Sequence, residues 1–214
     1  MYASIVSVAS FWWRLVEIDE EIQRQTIAKG CPNCAGPLHV ANYGRKPRDV
    51  PDEVAEEFSL RFSTCCWHCR KRCMPQSVRF LGRRVYAGVV VLLATMHAFV
   101  TSAAKRTLRR WGFWWTQTLP TTRFWSVVQG QLVPAVDTAR LPASLLERFE
   151  SEPAAQTEQG LIKMLETMMA LTTVTGRSTQ FDARRDGADL TQKLRIEENC
   201  RALLPDVRAP TNTT

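Results

Sequence analysis

The sequence predicts a mainly α-helical protein with a small zinc-ribbon β module, an α+β fold whose sheet is small. Three observations predict it. Apolar residues recur at helical spacing on both sides of a central segment, residues 31–73. That segment holds six of the seven cysteines, in a pattern that suits a metal. It is also dense in turn formers, Pro32, Gly36, Pro37, Gly44, Pro47 and Pro51, which favour short strands and loops over helices. With 214 residues and 45% hydrophobic content the chain is long enough for one sizeable core. Four parts follow: a helical segment over 1–30, a zinc-ribbon-like module over 31–83, a helical DNA-binding region over 84–171, and a polar, partly disordered tail over 172–214.

Along residues 1–30, Phe11, Trp12, Leu15, Val16 and Ile18 form a broad apolar face, Asp19, Glu20 and Glu21 turn to solvent, and Gly30 ends the helix. Within the cysteine-rich part, Asp52 to Phe58 has the pattern of a short acidic helix. Two helical patterns come next, Val85 to Met96 and Ser102 to Gln117, before Pro120 interrupts. Leu141-Pro142 opens a short helix over Ala143 to Phe149, with proline where its missing N–H is tolerated. Gly160 to Leu171 places Leu161, Leu165, Met168 and Met169 on one face, and Leu190 to Leu204 is the last helical pattern. Tyr86 to Ala104 is uncharged over 19 residues, but its strongly apolar part, Val89 to Ala94, is far below the ~20 residues of a spanning helix, which predicts a buried core helix. The opening MYASIVSVASFWW has no basic residue before its apolar stretch, so the expected location is the cytoplasm.

Reduced thiols there make the cysteines metal ligands or buried apolar residues. Cys31-Pro32-Asn33-Cys34 and Cys66-Trp67-His68-Cys69 are two C-x2-C pairs separated by 31 residues. Each pair can grip one ion, and Gly36 offers the positive φ that turns backbone N–H groups toward sulfur. The spacing makes Cys31, Cys34, Cys66 and Cys69 the ligands of a structural Zn2+ and leaves Cys73 as a small buried apolar residue. Cys65 and His68 compete for a place in the second pair. The long gap requires a loop around Asn42 to Glu57 extruded between the ribbon strands.

The formal charge of +7 is unevenly distributed. No Asp or Glu occurs from Phe58 to Val136, which carries twelve Lys and Arg, and the rest of the chain holds sixteen against twenty-one acids. So one-sided a block attracts a polyanion. The expected DNA contacts are Arg70, Lys71, Arg72, Arg83, Arg84, Lys105, Arg106, Arg109 and Arg110. On a helix from Ser102, capped by Thr101 or Ser102, Ala104, Leu108, Trp111 and Trp115 face a core while Lys105, Arg106 and Arg109 face outward, with Arg110 at the margin. Trp111, Trp114, Trp115 and Trp125 are expected in the core rather than stacked on bases.

CPNCAGPLHVANYGRKPR, RFSTCCWHCRKRCMPQSVRFLGRRVYAGVVVLL, RTLRRWGFWW, TTRFW and LPASLLERF resemble a group of short bacterial proteins described as transposase-like. These combine a Cys-rich N-terminal module with a helix-turn-helix-like segment and are associated with mobile elements. The likeness spans about residues 10 to 171. It implies duplex DNA as partner and a role in transposition. Two departures stand out: the stretch from Met96 to Arg106 is short for the helix-turn-helix region, and CCWHC leaves the third ligand open between Cys65 and Cys66. No catalytic constellation accompanies these motifs. His39, His68 and His97 are scattered, Tyr2, Tyr43 and Tyr86 lack a catalytic setting, and Asp49, Asp52 and Glu53 sit on the ribbon loop. The expected role is therefore a DNA-binding accessory to a transposase or recombinase encoded elsewhere, without a membrane. A minimal transposase and a membrane-associated interaction protein using residues 86–104 are the alternatives.

Overall fold

The computed structural model describes residues 2–81, 85–150 and 157–169, and over them the chain is mainly α-helical with a small antiparallel β module. Helices α1 (Tyr2–Val6) and α2 (Ala9–Lys29) open the chain. Phe11, Trp12, Leu15 and Val16 are buried along α2, each contributing about 1.5–3 kcal/mol of apolar burial, and the Trp12 indole N–H donates to the Val6 carbonyl at 2.8 Å. Gly30 ends α2 at φ 76°, a conformation that favours glycine.

A long antiparallel hairpin follows. Strand β1 (Leu38–Val40) pairs with β4 (Thr64–Cys66), and further out β2 (Tyr43–Gly44) pairs with β3 (Leu60–Arg61). Leu38 faces Cys66, Val40 faces Thr64 and Tyr43 faces Arg61, so one register runs through both ladders without a bulge. At the break, Asn42 accepts from the Ser63 N–H at 3.0 Å and from the Gln23 amide of α2 at 2.8 Å. The extruded loop is thus an ordered extension of the ribbon. Its far end carries a 3-10 turn (Asp52–Val54) and α3 (Ala55–Phe58), the short acidic helix expected there. Strand β5 (Arg72–Cys73) completes a three-stranded sheet in the order β1-β4-β5.

Helix α4 (Gly88–Thr95) is buried throughout most of its length, and none of the described helices is long and apolar enough to cross a membrane. Residues 96–104 lead to α5 (Lys105–Phe113), which continues through a π-helical turn (Trp114–Thr118) and a 3-10 turn at Pro120. The wider π turn brings Trp114 and Trp115 into the core together, with ring centroids 4.9 Å apart, and Trp111 packs edge-on against Tyr86 at 5.1 Å. Trp125 is buried as well, so all four tryptophans of this region belong to the core. Helices α6 (Arg123–Gly130), α7 (Ala143–Phe149) and α8 (Thr157–Met168) complete the described chain. At Gly160 a Cβ would come within 3.1 Å of the Phe149 carbonyl, so glycine permits the close approach of α8 to the end of α7. Leu161, Leu165 and Met168 form the buried face of α8. The predicted tail over 172–214, including Leu190 to Leu204, lies outside the described residues.

Three expectations are corrected. Asp19 does not turn to solvent: its side chain is fully buried and ion-paired with an equally buried Arg79 at 2.8 Å. Asp19 also accepts from the Ser77 hydroxyl at 2.5 Å and the Val78 N–H at 2.7 Å, so its charge is compensated inside the core. Arg79 donates further to the carbonyls of Glu57 and Leu60 and lies 4.2 Å from the Phe62 ring centroid. Arg61 is buried too, donating to the carbonyls of Phe62 and Pro75, so neither arginine belongs to the surface charge. Finally, α5 starts at Lys105 with Ala104 exposed before it, and Thr101 and Ser102 instead bind the Asp49 carboxylate, the Ser102 N–H at 2.8 Å.

Removing one partner of a buried ion pair strands the other. Asp19→Ala is expected to lower the unfolding free energy by about 3–5 kcal/mol in urea denaturation, whereas exposed Glu20→Ala on the same helix changes it by about 0.5 kcal/mol or less. Equal effects would contradict the assigned role of Asp19.

Candidate metal centre

The first cysteine pair sits just past the end of α2, and the second forms the turn between β4 and β5. Both turns are built alike. The N–H of Ala35 donates to the Cys31 carbonyl at 2.8 Å and the N–H of Cys31 to Gly36 at 2.9 Å. In the second turn, Arg70 donates to Cys66 at 3.1 Å and Cys66 to Lys71 at 3.0 Å. The residue after each pair adopts the left-handed conformation, Ala35 at φ 55° and Arg70 at φ 58°. Such a φ disfavours a side chain by roughly 1–2 kcal/mol, so both turns are held against a local cost.

This corrects the role expected of Gly36. Positive φ falls on Ala35, and at Gly36 a Cβ would lie 2.7 Å from the His68 imidazole, so a side chain there would displace this exposed histidine. The two turns therefore press against each other and bring four sulfur atoms together.

Cys31, Cys34, Cys66 and Cys69 have their Sγ atoms all within 4.8 Å of one another. Cys31 is 3.6 Å from Cys69 and Cys34 is 3.4 Å from Cys66, each sulfur paired with one from the opposite turn. Backbone N–H groups point at the sulfurs, Asn33 at Cys31 (3.4 Å) and Cys69 at Cys66 (3.5 Å). Burial opposes ionisation of Cys31, but the N–H groups of Asn33 and Cys34 and the neighbouring thiols outweigh it and bring this thiol down to about 6. For Cys69 the Lys71 N–H favours the thiolate, yet burial and the three surrounding cysteines prevail and push it up to about 12. Four thiols this close cannot all ionise by themselves. A bound cation removes the conflict, and the cluster fits a metal ion with four protein ligands.

Strand alternation decides between the competing cysteines. Cys66 and Cys73 share the face of the sheet that carries Leu38, and with Cys31 they make a small apolar cluster against Ile27. Cys73 is thus the buried apolar residue expected, its thiol pushed up to about 11 by burial and by the neighbouring Cys31. Cys65 lies on the opposite face, where its thiol meets the Arg70 carbonyl at 3.6 Å. His68 packs over Gly36 and stays outside the sulfur cluster.

The basic residues divide into two sets. Arg70, Lys71 and Arg72 are exposed on the second cysteine turn and β5. Lys105, Arg106, Arg109 and Arg110 are exposed on α5. Arg83 and Arg84 lie outside the described residues. Arg72 is further engaged, donating to the Ala41 carbonyl at 2.6 Å and the Ser63 hydroxyl at 2.7 Å. Sequence reasoning passed over Trp67, which is exposed on the tip of the second turn, although its place between two ligand cysteines marks it. Comparison of the chain with protein-family models, with curated proteins and with solved structures gives no match.

Metal analysis of purified variants tests the ligand set. Cys34→Ser, Cys66→Ser and Cys69→Ser are each expected to lose the metal and destabilise the protein, while Cys65→Ser and Cys73→Ser keep it. Loss on Cys65→Ser together with retention on Cys66→Ser would reverse the assignment.

Proposed function

We propose that this chain is a zinc-stabilised protein that binds duplex DNA through α5 and serves a mobile element as an accessory to a transposase or recombinase encoded elsewhere. The observation that carries the reading is the two-sided character of α5. Lys105, Arg106, Arg109 and Arg110 are exposed and have no ion-pair partner among the described residues, while Trp111 on the other side is buried. A rigidly seated helix with a free cationic face suits the major groove, about 12 Å wide. Its nine residues span about 13 Å at the helical rise of 1.5 Å per residue.

Residues 96–104, which join α4 to α5, exceed the three or four residues of a helix-turn-helix turn, so α5 is presented by a looser helix pair. The hairpin tip braces that linker through Asp49. Asp49 is thereby engaged in structure, which favours the accessory role over a carboxylate-based cutting site. The mobile-element setting rests on the sequence motifs alone, which resemble those of the transposase-like group over about residues 10 to 171. Zinc is the metal of choice because four thiolates at tetrahedral spacing suit it, and Zn–S bonds of about 2.3 Å imply sulfur separations of about 3.8 Å. Four protein ligands leave no open position, so the ion's role is structural.

Binding measured against salt tests this. Four phosphate contacts from α5 give a slope of log K against log salt of roughly −3 to −4, steeper if Arg70 or Lys71 joins. Arg106→Ala with Arg109→Ala is expected to make the slope shallower by about two and leave the melting temperature nearly unchanged, because both side chains are exposed. Arg14 and Arg24, paired with Glu158 and Glu21, are the matched control and change it much less. An unchanged slope in the α5 double variant would exclude α5 as the DNA-binding element.

A further inference from the structure

The three-stranded sheet has two unlike faces. One carries Leu38, Cys66 and Cys73 and closes over the metal centre. On the other, the register sets His39 opposite Cys65 and Cys65 opposite Arg72. Trp67 continues that face by alternation. Its backbone N–H donates to the Pro37 carbonyl at 3.0 Å, and its ring makes a T-shaped contact with that of His39, centroids 5.6 Å apart. The Arg70 guanidinium lies 4.6 Å from the Trp67 ring centroid, and that of Arg72 lies 5.5 Å from the ring of Tyr43. The left-handed turn that closes the second cysteine pair thus also sets a cation over the tryptophan ring.

Despite these supports, Trp67 remains 56% exposed, whereas the tryptophans of α5 and α6 are buried. Trp67 packs against His39 and beneath Arg70, yet more than half of its surface stays open to solvent on the tip of the second cysteine turn. Arg70 lies over its ring and Arg72 shares its face of the sheet, and neither has an ion-pair partner among the described residues. We infer that this face binds single-stranded nucleic acid, with a base stacked on the open part of Trp67 and the backbone phosphates held by Arg70 and Arg72. The single strand follows from the chemistry. A fixed aromatic plane needs the π-face of a base, which a duplex hides within its stack, and the adjacent cations need phosphates. The site is separate from the α5 surface and does not depend on duplex binding there.

The test uses the metal-loaded full chain and a fluorescein-labelled oligothymidylate of roughly twelve nucleotides at low salt. Trp67→Ala is expected to weaken its binding about 5- to 150-fold, Trp67→Phe to retain most of it, and both variants to keep their metal content and their affinity for a duplex. Arg106→Ala with Arg109→Ala reports on the duplex surface independently. Oligothymidylate binding by Trp67→Ala equal to wild type would overturn the inference. So would equal losses for single strand and duplex, or a wild-type protein that binds polyglutamate and ignores the oligonucleotide.

Discussion

Around the four cysteines the three-stranded sheet has almost no core of its own. Its small apolar cluster consists of Leu38 and buried cysteines, with Ile27 of α2 and Cys69 packed beside it. A sheet of such short strands cannot hold its shape on that burial. The four sulfurs supply what the core lacks, yet only when an ion neutralises thiolates within 4.8 Å of one another. Metal binding is then part of the folding free energy of the module. A bound ion would tie the two turns together and hold Ala35 and Arg70 in their left-handed conformation.

The hairpin is attached to the helical core by the buried side chains of Val54, Phe58 and Phe62, Phe58 packing edge-on against Trp12 at 5.3 Å, and by polar groups inside the protein. Asp19 on α2, Arg79 after β5 and the carbonyls around α3 and β3 form one buried network, with aromatic rings around the guanidinium. Every charged atom there has partners, which lets an ion pair survive without water. At the other end Asp49 ties the hairpin tip to the linker before α5. The long hairpin is therefore a strut between the metal centre and α5. The basic block is also divided by burial: Arg61 and Arg79 lie in the interior, and eight of its cations among the described residues are exposed.

Much of this was legible in the sequence because it follows from spacing. Two C-x2-C pairs mark the four sulfurs, and Ala143 to Phe149 is helical as the Leu141-Pro142 start implies. The acidic turn at Asp52 to Phe58 and the buried Trp111, Trp115 and Trp125 were equally readable. Asp19 was misread through residue type, although it stands three, four and seven positions after Val16, Leu15 and Trp12 on the buried face. Its burial needed a partner, and Arg79 lies 60 positions away. The left-handed Ala35 and Arg70 were hidden for a related reason. Glycine is the usual mark of that conformation, and here the nearby Gly36 serves a close contact instead. Whether Cys65 or Cys66 faces the sulfur cluster depends on strand register, which the CCWHC spacing alone does not contain.

The proposed centre holds a single ion by sulfur alone. X-ray absorption at the metal edge of the purified protein measures that shell directly. The expected spectrum is that of zinc with four sulfur scatterers at about 2.3 Å and no lighter atom in the first shell. A nitrogen scatterer at about 2.0–2.1 Å, as His68 would give, or a folded protein without metal, would contradict it.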